Sequence, residues 1–163
     1  MKRIFIVRHA KSDWRDQSLV DFDRPLSKRG KMDAPIMGEL LNEKIVHPDL
    51  IISSPAKRAK KTATIVAAKI GYSEKIILLN EELYEASSNT LLKLLKNIDE
   101  KYGTVMLFGH NPGLTLLNNY LSDNYIENIP TCGIVALEFD GKWNELDKQI
   151  CKNLFFIFPK LYK

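Results

Sequence analysis

The residues of this chain best equipped for chemistry fall at three places. Arg8-His9 closes an apolar run, residues 4–7. Arg58 lies in Ser53-Ser54-Pro55-Ala56-Lys57-Arg58, which follows the apolar residues 50–52. His110 lies in Gly109-His110-Asn111-Pro112, directly after the most hydrophobic run, residues 105–108. A guanidinium offers fixed positive charge in a planar fork that matches phosphate oxygens. An imidazole offers a nucleophile or a proton carrier. Each place alone has a plainer explanation: solvated residues at a strand end, a basic helix face at 57–61, a turn histidine. Three such places, each where an apolar run stops, point instead to one phosphate-handling site.

For these residues to meet, the runs before them must be neighbouring strands. Residues 4–7 are β-branched or aromatic and read as a buried strand. Residues 13–23 are polar and aperiodic, and read as a loop. Met32, Ile36, Met37, Leu40 and Leu41 recur at helical spacing within a helix expected over residues 27–44, with Pro35 inside it. A second strand is expected at 50–53. Ser54-Pro55 then reads as a helix start, with serine as cap and proline in the first turn. Ala59, Ala63, Val66 and Ile70 form that helix's apolar face, and Gly71 ends it. A third strand is expected at 76–79 and a third helix around Leu91, Leu92, Leu94, Leu95 and Ile98. A fourth strand at 104–109 leads into a helix capped by Asn111 and carrying Leu114, Leu117 and Leu121. Two late strands, 133–139 and 154–158, have no helix between them and should pair antiparallel. Strands alternating with helices predict an α/β three-layer sandwich, mostly parallel, with an antiparallel strand near the C-terminus. In a parallel sheet the ends carrying Arg8, His9, Arg58 and His110 share one edge, where open α/β sheets place their ligands.

Composition narrows the function class. The chain has 163 residues with 45% hydrophobic and 27% charged content, which fits one domain over residues 1–163 with a substantial core. A net charge of +4, spread along the chain, suits an anionic substrate and makes no case for nucleic acid. Residues 4–7 are too short for a signal-peptide core and no stretch is long enough to span a bilayer, so no membrane association and a cytoplasmic location are expected. Cys132 and Cys151 make no metal-binding spacing and read as reduced core residues. No carboxylate cluster suggests a metal, and no cofactor is expected.

In this order and spacing, the motifs resemble the histidine phosphatase superfamily, also called phosphoglycerate-mutase-like. The matching residues are Arg8-His9-Ala10, the stretch Ser53-Ser54-Pro55-Ala56-Lys57-Arg58-Ala59-Lys60-Lys61-Thr62-Ala63, and Gly109-His110-Asn111-Pro112. Several details are similar to the short, SixA-like branch of phosphohistidine phosphatases. They are Lys11-Ser12 after the first motif, Asp23-Arg24-Pro25-Leu26-Ser27-Lys28-Arg29-Gly30, Leu83-Tyr84-Glu85-Ala86-Ser87, and Gly113-Leu114.

The resemblance implies that His9 is a nucleophile that becomes a transient phosphohistidine, with Arg8, Arg58, His110 and Ser12 holding the phosphoryl oxygens. It places the leaving-group acid after the third strand, where Glu81, Glu82 and Glu85 stand and Glu85 fits the motif best. Larger members carry helical insertions over the pocket. Residues 81–104 have room for one helix, so a shallow, open site is expected, suited to a phosphorylated protein side chain. The expected partner is a phosphohistidine protein. The alternatives are a small phosphate ester or nucleotide as substrate, or a non-catalytic phosphate-binding module.

Overall fold

The computed structural model describes residues 1–163. Its regular elements are β1 (Lys2–Arg8), α1 (Lys28–Glu43), β2 (Leu50–Ser53), α2 (Lys57–Lys69), β3 (Leu78–Leu79), α3 (Ser88–Lys96), β4 (Thr104–Gly109), α4 (Gly113–Leu121), β5 (Ile134–Phe139) and β6 (Lys152–Ile157). The six strands form one sheet in the order β3-β2-β4-β1-β5-β6. β3, β2, β4 and β1 are parallel, β5 runs against β1, and β6 runs against β5. The α/β architecture is thus mixed and mostly parallel, with its antiparallel pairings at the C-terminal end of the chain.

The alternation of side chains along the central strands builds the layers. Ile4 and Ile6 of β1 join Val105 and Leu107 of β4 in a cluster covered by Leu91 and Leu95 of α3 and Leu114, Leu117 and Leu121 of α4. Phe5 and Val7, with Met106 and Phe108, face the opposite side, where Met37 and Leu41 of α1 and Ala63 and Val66 of α2 cover them. β1 and β4 are buried on both faces, which explains their continuous apolar runs. Cys132 and Cys151 are both free and buried, and belong to clusters on opposite faces of the sheet.

Single residues decide several local outcomes. Ser27 caps α1, its Oγ accepting from the Gly30 N–H. Pro35 cannot donate to the Lys31 carbonyl, yet α1 continues through it. Gly71 has φ +74° just beyond α2. Three expectations need correction. Ser54-Pro55 does not open α2: the helix begins at Lys57 and the Ser54 hydroxyl accepts from the Ala56 N–H ahead of it. Asn111 is not the cap residue of α4, since Pro112 holds that position; its Oδ1 instead accepts from both the N–H and the hydroxyl of Thr115. The third strand shrinks to Leu78–Leu79, because residues 74–76 wind into a single 3₁₀ turn.

Candidate active site

Sheet register brings the three strand ends together. Arg8 of β1 lies opposite Gly109 of β4, and Ser53 of β2 opposite Phe108. The chain leaves each end with one more backbone bond to its neighbour, His9 N–H to Gly109 O at 3.1 Å and Ser54 N–H to Phe108 O at 2.9 Å. His9, Arg58 and His110 therefore share one edge of the sheet, and each is only 7–8% exposed.

The ring of His9 has a fixed tautomer. Its Nδ1 is 2.7 Å from the Ala10 carbonyl oxygen, which can only accept, so Nδ1 carries the proton. Nε2 keeps a lone pair and accepts from Arg58 Nε at 3.3 Å. Burial pushes the His9 pKa down to about 3; the Ala10 contact opposes this, while His110, Arg58 and Arg8 add to it. His110 has the opposite tautomer. A guanidinium can only donate, so the 3.3 Å contact from Arg58 Nη2 marks His110 Nδ1 as an acceptor. The proton sits on Nε2, 2.8 Å from the Ser54 hydroxyl. Burial, then Arg58, lowers its pKa to about 4. The two rings lie 5.1 Å apart. In this state His110 turns a lone pair towards the site, and donating to a phosphoryl oxygen requires it to take up a proton.

Arg58 uses two edges. Nε and Nη2 face the histidines, while Nη1 donates to the Asp21 backbone oxygen at 2.7 Å and Nη2 to Asp21 Oδ2 at 2.9 Å. Thr62, one turn along α2, accepts the Ala10 N–H at 3.0 Å and donates to the Arg58 carbonyl at 2.7 Å. It ties the backbone after His9 to the backbone of Arg58, a physical reason for the Arg58-to-Thr62 spacing. Arg8 gives one N–H to the Ile129 carbonyl at 2.9 Å, and its buried Nε has no protein partner. Burial first, and Arg58 second, lower its pKa.

A cavity of about 510 Å³ opens beside these groups, lined among others by Asp21, Arg58, Glu85, His110 and Gly113. Glu85 is exposed, has φ +54°, and stands on the cavity wall. Glu81 and Glu82 lie in the preceding 3₁₀ turn, and Glu82 faces a different cavity. Ser12 is buried, and its backbone bridges to Leu26. The structure joins Arg58, His9 and His110 by direct contacts and does not join Ser12 or Glu85 to them.

The site is less open than the absence of inserted helices suggested. The turn Asp21–Asp23 and Tyr84 stand over Arg58. Tyr84 Oη donates to Asp21 Oδ2 at 2.6 Å, and its ring meets His110 and Phe22 edge-on, with centroids 5.4 and 5.2 Å away. Burial and Asp21 push the Tyr84 pKa up to about 12; the Tyr84 hydrogen bond and Arg58 hold the Asp21 carboxyl below its ordinary value. The sequence does not mark Asp21, Tyr84 or Thr62 as site residues, and it marks Ser54 only as a helix cap. Thr62 and Ser54 sit inside a recognisable motif, but Asp21 reaches Arg58 across 37 residues from a loop without periodicity.

Comparison with known proteins places this geometry. Residues 4–106 match the family model of the histidine phosphatase superfamily (branch 1). The chain belongs to that superfamily, in its SixA-like branch. A candidate phosphohistidine phosphatase SixA from Agrobacterium tumefaciens is 30% identical, with a TM-score of 0.81 over 97% of this chain and 98% of that one. The protein histidine phosphatase SixA solved with tungstate shares the fold at a TM-score of 0.85 and 20% identity, over 99% of both chains. An uncharacterised chloroplastic protein of Arabidopsis thaliana is 35% identical over 88% of this chain and 70% of its own length. Phosphoglycerate mutase 1 of Saccharomyces cerevisiae is 39% identical over 42% of this chain and 29% of its own length.

Proposed function

We propose that the protein is a metal-independent phosphatase that forms a phosphohistidine on His9 and acts on phosphohistidine in another protein. The observation that carries the chemistry is the lone pair of His9 Nε2. The Nδ1 proton is anchored on Ala10, and burial among cations keeps the ring neutral, so it is a ready nucleophile. In the first step Nε2 bonds to phosphorus and the bond to the leaving group breaks, its electron pair departing with that group. Water then attacks phosphorus, and the His9 nitrogen leaves as neutral imidazole. Arg8 and the inner edge of Arg58 take the equatorial oxygens, where charge spreads in the transition state. His110 adds a third contact once protonated, and Glu85 is the candidate acid for ester substrates. No three His, Cys, Asp or Glu side chains come together as a metal-ligand set, and the arginines supply the positive charge such a reaction needs.

The substrate assignment is supported by likeness to the two SixA structures and by the absence of inserted helices between β3 and β4 that would enclose a small metabolite. No helix is long and apolar enough to cross a membrane. A carrier protein phosphorylated on histidine with ³²P tests the proposal. Wild type should release phosphate and His9→Ala should not; equal release by both would sink the mechanism.

A further inference from the structure

The family resemblance implies a leaving-group acid at Glu85. The coordinates put a different carboxylate against the phosphate-binding arginine. Asp21 takes the outer edge of Arg58 through its backbone oxygen and Oδ2, at 2.7 and 2.9 Å. The inner edge, Nε and Nη2, holds only the 3.3 Å contacts to His9 and His110. A phosphoryl group can replace those two long contacts without disturbing Asp21. The Asp21 carboxylate stands on the wall of the cavity that opens beside Arg58 and His110, where the remainder of a bound phosphorylated group would lie. Tyr84 fixes the carboxylate at 2.6 Å, and the Phe22 ring packs edge-on against Tyr84.

An alkoxide needs a proton as it leaves, and a carboxylate held ionised by Arg58 and Tyr84 has none to give. A phosphorylated imidazole protonated on its second nitrogen needs no acid. It leaves as neutral imidazole and keeps its N–H, which requires only an acceptor. We propose that Asp21 is that acceptor and so selects protonated phosphoimidazole over phosphate esters. This rests on the phosphohistidine reading above. His9 Nε2 forms the new N–P bond while the substrate's N–P bond breaks, and its electron pair returns to the departing ring. Each ring then has its remote N–H on an oxygen: Ala10 O for His9, Asp21 for the leaving imidazole. The transfer runs between two like nitrogens, so little driving force is needed in either direction. The same carboxylate, with Glu85 on the same wall, repels substrates whose body is itself anionic.

The test compares kcat/KM for phosphoimidazole and for p-nitrophenyl phosphate, an ester whose leaving group needs no proton. Asp21→Asn should lower the phosphoimidazole value about 10- to 100-fold, the scale of one charge-assisted hydrogen bond, and leave the ester value equal or raised. Equal losses on both substrates would make Asp21 merely a brace for Arg58 and overturn the proposal, as would an unchanged ratio. Wild type that cleaves phosphoimidazole but not a phosphohistidine protein would overturn the protein-substrate reading alone, and the Asp21 ratio would still decide this one. Cleavage of the ester without either phosphoimidazole or phosphohistidine protein would overturn both.

Discussion

At the scale of the residue, two histidines share one site with opposite tautomers. His9 is pinned by a carbonyl that must accept and His110 by a guanidinium that must donate, so neither tautomer is free to change while those contacts hold. Burial disfavours the imidazolium, so both rings stay neutral as pH falls through the ordinary titration range. An imidazole with a pKa near 6.5 is about 97% protonated at pH 5. His9 and His110, lowered to about 3 and about 4, should both still be neutral there. ¹⁵N-edited NMR of the free protein should show Nδ1–H for His9 and Nε2–H for His110 from pH 8 to pH 5. Titration of either ring near 6.5, or one tautomer for both, would contradict the geometry. Arg8, His9 and His110 are legible in the sequence because they stand where apolar runs end, and Arg58 because it lies in the motif that follows the run 50–52. Asp21 was not, because its partner is set by tertiary placement of a loop and nothing local in residues 13–23 announces it.

At the scale of the element, the cavity is shaped by a helix N-terminus lacking one side chain. Gly113 opens α4, and a Cβ there would fall inside the contact distance of the Ala86 carbonyl oxygen. Ala86 follows Glu85 and lines the same cavity, so this close approach sets how near the loop from β3 to α3 lies to His110. Gly113→Ala must push that loop or α4 aside. It should cost about 1–3 kcal/mol, typical of overpacking, as a lower urea midpoint at unchanged slope. An unchanged midpoint would mean that the loop yields freely. The helices are legible from periodicity, which burial on one face imposes, and the central strands from continuous apolar runs, which burial on both faces imposes. The start of α2 was not. Ser54-Pro55 has the composition of a helix start, but here the Ser54 hydroxyl is taken by the Ala56 N–H and by His110. Residues 76–79 carry a strand's composition, yet β3 sits at the sheet edge with both its residues exposed, and only Leu78 and Leu79 pair.

For the whole molecule, the order β3-β2-β4-β1-β5-β6 decides more than where the ligand sits. β1 and β4, which lead directly into His9 and His110, are each paired on both sides, while β3 and β6 form the sheet's edges. Peptide groups in β1 and β4 can meet solvent only after the neighbouring strands and helices on both faces have parted, so they should open only with global unfolding. Asp21 and Glu85 hang on loops outside the sheet. In native-state hydrogen exchange, the amides of residues 4–7 and 105–108 should be the slowest to exchange and those of residues 21–23 and 85–87 among the fastest. Comparable rates in the two sets would break this ranking. The molecule then divides by lifetime as well as by place. The half of the site proposed to make and break the bond to phosphorus persists for as long as the fold does, whereas the half proposed to judge the leaving group is renewed with every opening of a loop.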